Sequence, residues 1–183
     1  VGSEMCIETV RDPNWGTVPG VLGNEQIRTG PDSFHIRYTS EHRQEPIHFT
    51  WHADILGSQD GTLRFTFDGQ AHSTFLRNRI GFCVLHPIKE CAGARCRAEC
   101  QDGSIRELSF PTLVAARQPI PGFHDLAALS HAITPDLWVE VRFRGETFET
   151  EDQRNWIDAS FKTYGTPLHL PFPPSVAAGT RIH

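Results

Sequence analysis

The stretch from Phe148 to Tyr164 concentrates groups able to do chemistry. It holds the carboxylates of Glu149, Glu151, Asp152 and Asp158, the cations of Arg154 and Lys162, the amides of Gln153 and Asn155, and the polar rings of Trp156 and Tyr164. Phe148, Ile157 and Phe161 interleave with them as apolar anchors. Charges anchored in this way are held partly out of water and need partners, so an ion-pair and hydrogen-bond network is expected here. Such a network serves a binding site or a structural corner. If residues 147–151 run as a strand, Glu149 and Glu151 share one face about 7 Å apart. That spacing suits an acid and a base acting on one small substrate. The same pair could instead face solvent or salt-bridge to Arg77, Arg79 and Arg154. Trp156 suits stacking on a sugar ring, and equally anchoring of the corner.

A second group of interest is Arg77-Asn78-Arg79, which precedes the apolar run Ile80–Leu85 and then His86-Pro87. An Arg at the mouth of a buried strand beside a His can clamp a carboxylate or sugar hydroxyls. It can equally pair with the acidic run, making the two motifs one network.

Other chemistry is excluded. No Gly-x-Ser-x-Gly elbow, Walker loop or dinucleotide fingerprint occurs. The spacing Cys91-x4-Cys96-x3-Cys100 with His86 nearby suggests zinc, but Ala94–Cys100 alternates small or apolar with charged residues as a strand does. On a strand Cys96 and Cys100 lie about 13 Å apart, too far to share a metal. His48 and His52 fail for the same reason. Cys6, Cys83, Cys91, Cys96 and Cys100 therefore read as reduced structural thiols. Neither metal nor cofactor is expected.

The elements that must position these groups are strands. Ile47, Phe49, Trp51, Ala53 and Ile55 alternate with His48, Thr50, His52 and Asp54; Leu63, Phe65 and Phe67 alternate with Thr62, Arg64 and Thr66; Val139, Val141 and Phe143 alternate with Trp138, Glu140, Arg142 and Arg144. Period two means one buried face. Ile80–Leu85 is apolar on both faces, so a central strand covered on both sides is expected. Turn signals fall at Gln59-Asp60-Gly61, Asp68-Gly69, Gln101-Asp102-Gly103 and Arg144-Gly145. Phe123–His131 could make two helical turns between flanking prolines, and the prolines from Pro167 to Pro174 read as an extended crossing segment. The expected fold is all-β, an antiparallel β-sandwich of one domain over 1–183 with at most one short helix.

The formal charge is −5, from 17 basic and 22 acidic residues, with no basic stripe. Nucleic acid and anionic membrane are therefore not expected partners. No apolar run spans a bilayer and no signal peptide opens the chain, so a cytoplasmic location is expected. Val1 at the start and Ser175–His183 at the end, read as a strand cut in mid-course, suggest an excerpt of a longer protein. No oligomeric state follows from these features.

Thr74–Pro87 with Cys91-Ala92-Gly93, Phe148–Tyr164 followed by Thr166-Pro167-Leu168 and Leu170–Pro173, and Arg11-Asp12-x-Asn14-Trp15-Gly16-Thr17 together resemble the N-terminal β-rich region of the D-apionate lactonase family. The resemblance implies a multidomain enzyme that hydrolyses a sugar lactone to its acid in carbohydrate catabolism, with a sugar lactone or sugar acid as small-molecule partner. It carries no assignment of catalytic residues. Lactone opening needs a base for water, a cation or N–H pair for the oxyanion, and an acid for the departing alkoxide. From the charge clustering, Glu149 or Glu151 is the expected base, Arg79 (with Arg77 or Arg154) the oxyanion partner and His86 the acid. Arg77, Arg154, Asn155, Trp156 and Lys162 are the expected substrate-binding residues. Two alternatives stand beside this reading: a non-catalytic carbohydrate-recognition or scaffold domain, and a mutarotase-like epimerase using His86 with Glu149. The latter draws on a looser likeness to the galactose-mutarotase supersandwich, a fold analogy.

Overall fold

The alternating pattern makes strands throughout the computed structural model, which describes the backbone of Glu4–Glu8 and all of residues 10–183. In chain order the strands are β1 (Glu4–Glu8), β2 (Gly20–Thr29), β3 (Phe34–Gln44), β4 (Ile47–Gly57), β5 (Leu63–Ala71), β6 (Phe75–Leu76), β7 (Gly81–Pro87), β8 (Arg95–Cys100), β9 (Ile105–Ser109) and β10 (Leu126–Thr134). They continue with β11 (Leu137–Arg142), β12 (Phe148–Asp152), β13 (Ser160–Gly165), β14 (Ser175–Val176) and β15 (Arg181–Ile182). One helical turn, α1 (Ile88–Cys91), and one 3-10 turn (Gln153–Trp156) are the helical elements among the described residues. The protein is all-β, and every register that can be followed is antiparallel. Among the described residues no helix is long and apolar enough to cross a membrane.

The chain divides into two compact units. One comprises Glu8–Gly81 with Pro171–His183; the other comprises Phe82–Leu170 with the N-terminal stretch through Ile7. In the first, a five-stranded sheet runs β15-β5-β4-β3-β2, beside the small pair β14-β6. Ile47, Phe49, Trp51, Ala53 and Ile55 are all buried, as their spacing requires. Phe67 lies over Trp51 with ring centroids 4.9 Å apart, and Phe49 meets Phe75 edge-on. Along the next strand burial deepens with position: Leu63 is exposed, Phe65 half-buried, Phe67 buried.

In the second unit the sheet order is β1-β7-β13-β12-β10-β8-β9, with β11 beside β10. β7 is interior to this sheet, and its consecutive residues Cys83 and Val84 are both buried, as a two-faced apolar strand should be. Cys96, Ala98 and Cys100 point one way from β8 and are buried; Cys96 and Ala98 join Phe110, Phe123, Leu126, Leu129, Phe148 and Phe161 in the core. The Phe110 ring stacks on Phe161 at 4.7 Å and on Phe123 at 5.2 Å.

Three local expectations are corrected. Phe123–His131 is not helical: Leu126–Thr134 is β10, bonded to β8 on one side and β11 on the other. Leucine and alanine favour helix, but tertiary pairing on both edges overrides that preference. Asp68-Gly69 is not a turn but lies inside β5, opposite His52 and Trp51. Ser175–His183 is not one strand but two short ones, β14 and β15, separated at Gly179. The turns at Gly61 and Gly103 form as expected, each glycine at positive φ.

Gly69 has no side chain because the Phe49 ring occupies its place. A Cβ there would collide with Phe49 Cζ and come within 2.9 Å of the Phe67 ring. Gly69→Ala is therefore expected to cost about 1–3 kcal/mol of stability, read as a lower urea midpoint at unchanged slope.

Candidate functional site

Strand alternation sorts the polar run into two sheet faces. β12 pairs with β13 so that Glu149 faces Tyr164, Thr150 faces Thr163 and Glu151 faces Lys162; β13 in turn sets Thr163 beside Val84 and Phe161 beside His86. All five residues of β12 are buried. Phe148, Thr150 and Asp152 point to the aromatic core; Glu149 and Glu151 point to the opposite face, with Tyr164 and Lys162.

On the core face the polar groups are tied to one another. The Thr150 and Thr163 hydroxyls are 2.8 Å apart, and Thr163 Oγ1 lies 2.9 Å from His86 Nε2. The His86 ring meets His131 edge-on at 5.3 Å, and Phe110 packs on both. Burial, reinforced by the neighbouring His131, pushes the His86 pKa down to about 3, and burial lowers that of His131 too. His86 is therefore a neutral core imidazole. It lies on the far side of the sheet from Glu149 and Glu151, so the His86–Glu149 pair that an epimerase requires is not formed.

Asp152 anchors a staple. Its side chain is fully enclosed; Arg154 Nε donates to Oδ1 at 2.8 Å and Nη2 to Oδ2 at 2.7 Å. The Ala115 amide donates to Oδ2 at 2.8 Å and the Arg154 amide to Oδ1 at 3.1 Å, the latter capping the 3-10 turn. Arg154 then donates to the carbonyls of Thr112 (2.8 Å), Leu113 (2.9 Å) and Pro111 (3.2 Å), its guanidinium 5.1 Å from the centre of the Phe161 ring. Asn155 Nδ2 donates to the carbonyls of Ala115 and Asp152. The binding roles expected for Arg154 and Asn155 thus meet side chains whose donors hold residues 111–115 against β12. Trp156, 59% exposed, extends into solvent beside Ile157, which is fully exposed at φ 67.

The other face carries the carboxylates. Glu149 is 1% exposed, and its Oε1 accepts from the Tyr164 hydroxyl and the Leu168 amide, each at 2.7 Å. Glu146 accepts from the amide and hydroxyl of Thr166, so two carboxylates fix the 166–168 turn. Glu151 accepts from Gln153 Nε2 and is directly opposite Lys162. Arg77 and Arg79 belong to the other unit. There both are buried: the Arg79 guanidinium lies 5.1 Å from the centre of the Trp15 ring, and Arg77 Nη1 donates to the Asn78 carbonyl.

Sequence reasoning passed over Tyr164 as a partner of Glu149, Asp152 as the hub, and the Thr150–Thr163–His86 chain. Register alone would have exposed the first, since antiparallel pairing of 148–152 with 161–165 sets Tyr164 opposite Glu149. It also missed His42, whose Nδ1 bonds the Val18 carbonyl at 2.8 Å while Nε2 receives the Trp51 indole at 3.0 Å. Among the described residues no group of three or more His, Cys, Asp or Glu is placed to hold a metal. Burial pushes the Cys91 thiol up to about 11 and the Cys96 thiol up to about 12, which keeps both protonated. The side chain of Cys6 lies outside the described residues.

Stability should fall in acid in two stages. His86, His131 and His42 are all lowered in the folded state, so the unfolded chain binds protons first. Their contribution is complete above the ordinary histidine value of 6.5 and is lost as pH falls through each lowered value, for His86 down to about 3, at up to about 1.4 kcal/mol per pH unit for each fully affected group. Burial alone would raise the Asp152 carboxyl, but hydrogen bonds from Arg154 and two amides outweigh it and hold it below 3.8. Its contribution is present above that value and is lost as pH falls through the lowered one. Urea midpoints should therefore decline from pH 7 to 4.5, and a flat profile would contradict the neutral core imidazoles. Asp152→Asn should cost about 3 kcal/mol at pH 7, because it leaves a largely buried guanidinium without its charge partner.

Comparison with known proteins gives a family for this chain. The family model described as D-apionate lactonase, N-terminal domain, matches residues 5–183. A D-apionate lactonase of Brucella anthropi is 37% identical over 175 residues, covering 95% of this chain and 28% of that relative. The chain therefore spans little more than a quarter of the relative it matches. No solved structure matches it. With a family model matched over nearly its whole length, this chain belongs to the D-apionate lactonase N-terminal domain family.

Proposed function

We propose that this chain is the N-terminal β domain of a cytoplasmic enzyme of carbohydrate catabolism that hydrolyses a sugar-acid lactone, as the name of its relative suggests. The observation that carries the reading is the pair Glu149 and Glu151, two enclosed carboxylates on one face of β12, with Lys162 opposite Glu151. In lactone opening a carboxylate takes the proton from water as it attacks the ring carbonyl. Glu151, the less enclosed of the two, acts as that base, and Lys162 stabilises the oxyanion formed at the carbonyl; as the oxyanion collapses the ring C–O bond breaks and Glu151 returns its proton to the departing alkoxide. Tyr164 is a positioning residue, its hydroxyl holding Glu149 in place.

A second reading has its own observation. Glu149 is 1% exposed and its Oε1 is occupied by Tyr164 and Leu168, an arrangement equally suited to holding a turn. On that reading the chain is a carbohydrate-recognising or scaffold module, and the chemistry resides elsewhere in a longer protein.

Lactone hydrolysis followed with a pH indicator separates the two, with the Brucella anthropi relative as reference on the same aldonolactones. The first reading predicts turnover by this chain and a loss of about 100-fold or more in kcat for Glu151→Gln. Turnover by the relative alone, or unchanged turnover in Glu149→Gln and Glu151→Gln, would overturn it in favour of the second.

A further inference from the structure

The outer face of the β9-β8-β10-β11 sheet carries a groove of about 750 Å³, remote in role from the carboxylates of β12. The strand registers set its side chains in two rows. Arg97 sits between Glu107 on β9 and Ser130 on β10, and Ser130 sits beside Glu140 on β11. The next row along has Arg95 opposite Ser109 on β9, with Trp138 on β11. The inward residues of the same strands, Cys96, Ala98, Leu129 and His131, are fully buried, so the groove is floored by a rigid core.

Three features distinguish this face from an ordinary solvated sheet. Trp138 is 41% exposed, a large apolar ring beside the charged side chains of the groove. The Arg95 guanidinium lies 5.7 Å from the centre of that ring, and among the described residues Arg95 has no carboxylate partner. Arg97 is held only loosely by Glu107, at 3.8 Å, with both side chains more than half exposed. On the same face Arg142 shows what a satisfied cation looks like, bound to Glu140 at 2.6 Å and Glu99 at 2.9 Å. Two cations are thus available for an anion beside an aromatic ring, and they are rimmed by hydroxyl and carboxylate acceptors.

We propose that this groove binds a carboxylated sugar. The aliphatic face of the sugar ring stacks on Trp138, as polarised C–H groups prefer an electron-rich ring face. The carboxylate is taken by Arg95 and Arg97, whose planar forks suit two-oxygen recognition. Ser130, Glu107 and Glu140 accept and orient the ring hydroxyls. Ring stacking, carboxylate pairing and hydroxyl acceptors occur together here, which matches a sugar acid better than a neutral sugar or a simple anion. The ligand is either a free sugar acid or a uronic-acid residue within a glycan; both present the same chemistry to the groove. The inference does not depend on lactone hydrolysis.

The test is NMR titration of this chain with galacturonate, with an oligogalacturonate and with glucose, following the indole N–H signals of its four Trp residues. Trp138→Ala, a change at an exposed position, identifies the Trp138 signal by its disappearance, and circular dichroism verifies that the fold is kept. The expected result is a saturable shift of that signal with a carboxylated sugar and none with glucose. Affinities of the variants, two of which lack the Trp138 indole, are read by isothermal titration calorimetry: Trp138→Ala and Arg95→Ala should each weaken binding at least tenfold, Arg95→Lys several-fold, and Trp138→Phe should retain most of it. Tighter binding of the oligomer would assign the groove to a glycan, and equal binding per site to free sugar acids. No shift with any carboxylated sugar, equal shifts with glucose, or shifts confined to another indole would each overturn the proposal.

Discussion

The carboxylate of Asp152 is the constraint from which the rest of the second unit follows. It ends β12 with no solvent around it, so it must be matched by donors or be neutralised. Arg154, two residues on, supplies two parallel N–H bonds, and the backbone amides of Ala115 and Arg154 supply two more. Because Arg154 also reaches three carbonyls of residues 111–113, the ion pair fixes the path of a long loop. That loop then completes the free edge of β12: the Thr150 amide bonds the Phe123 carbonyl and the Thr150 carbonyl bonds the Ile120 amide. Gln118 Oε1 accepts the Asp152 amide beyond them. An edge that would otherwise be open to association is closed by the chain's own backbone.

A fixed β12 sets what its two faces can do. With its register to β13 locked, Thr150 and Asp152 are committed to the core, while Glu149 and Glu151 are committed to the other face. The polar run that looks like one site in sequence is two structures back to back. One is a neutral network of threonines and imidazoles, in which burial suppresses protonation. The other is a carboxylate pair with Tyr164 and Lys162. This division removes His86 from any shared chemistry with Glu149, and it accounts for Arg154 and Asn155 serving the frame.

Much of the fold was legible because period-two burial is a local property. The buried set Ile47 to Ile55 follows from residue type alone, as does the strand through Cys96 and Cys100 that argues against zinc. The expected network over 148–164 also forms, because enclosed charges require it. What escaped the sequence depends on distant partners. Leu126–Thr134 has helix-favouring residues, and only the presence of β8 and β11 on its flanks makes it a strand. Gly69 reads as a turn beside Asp68, whereas its role is to admit the Phe49 ring, a contact spanning twenty residues. The loop at 111–123 has no periodicity of its own; side chains of residues some forty positions later determine its path. Glu149 and Tyr164 meet through pairing that residue types do not specify.

As the hub of this unit, Asp152 must hold the 111–115 loop as firmly as the sheet. Native-state hydrogen exchange at the Ala115 amide reads this directly, since that N–H is bonded to Asp152 Oδ2 and to no backbone carbonyl in a strand. The staple predicts that Ala115 exchanges only through the same large-scale opening that exposes the amides of the β12–β13 ladder. Exchange at Ala115 near the rate of an unprotected loop, with the ladder still protected, would show that the loop opens independently and that Asp152 is not the hub.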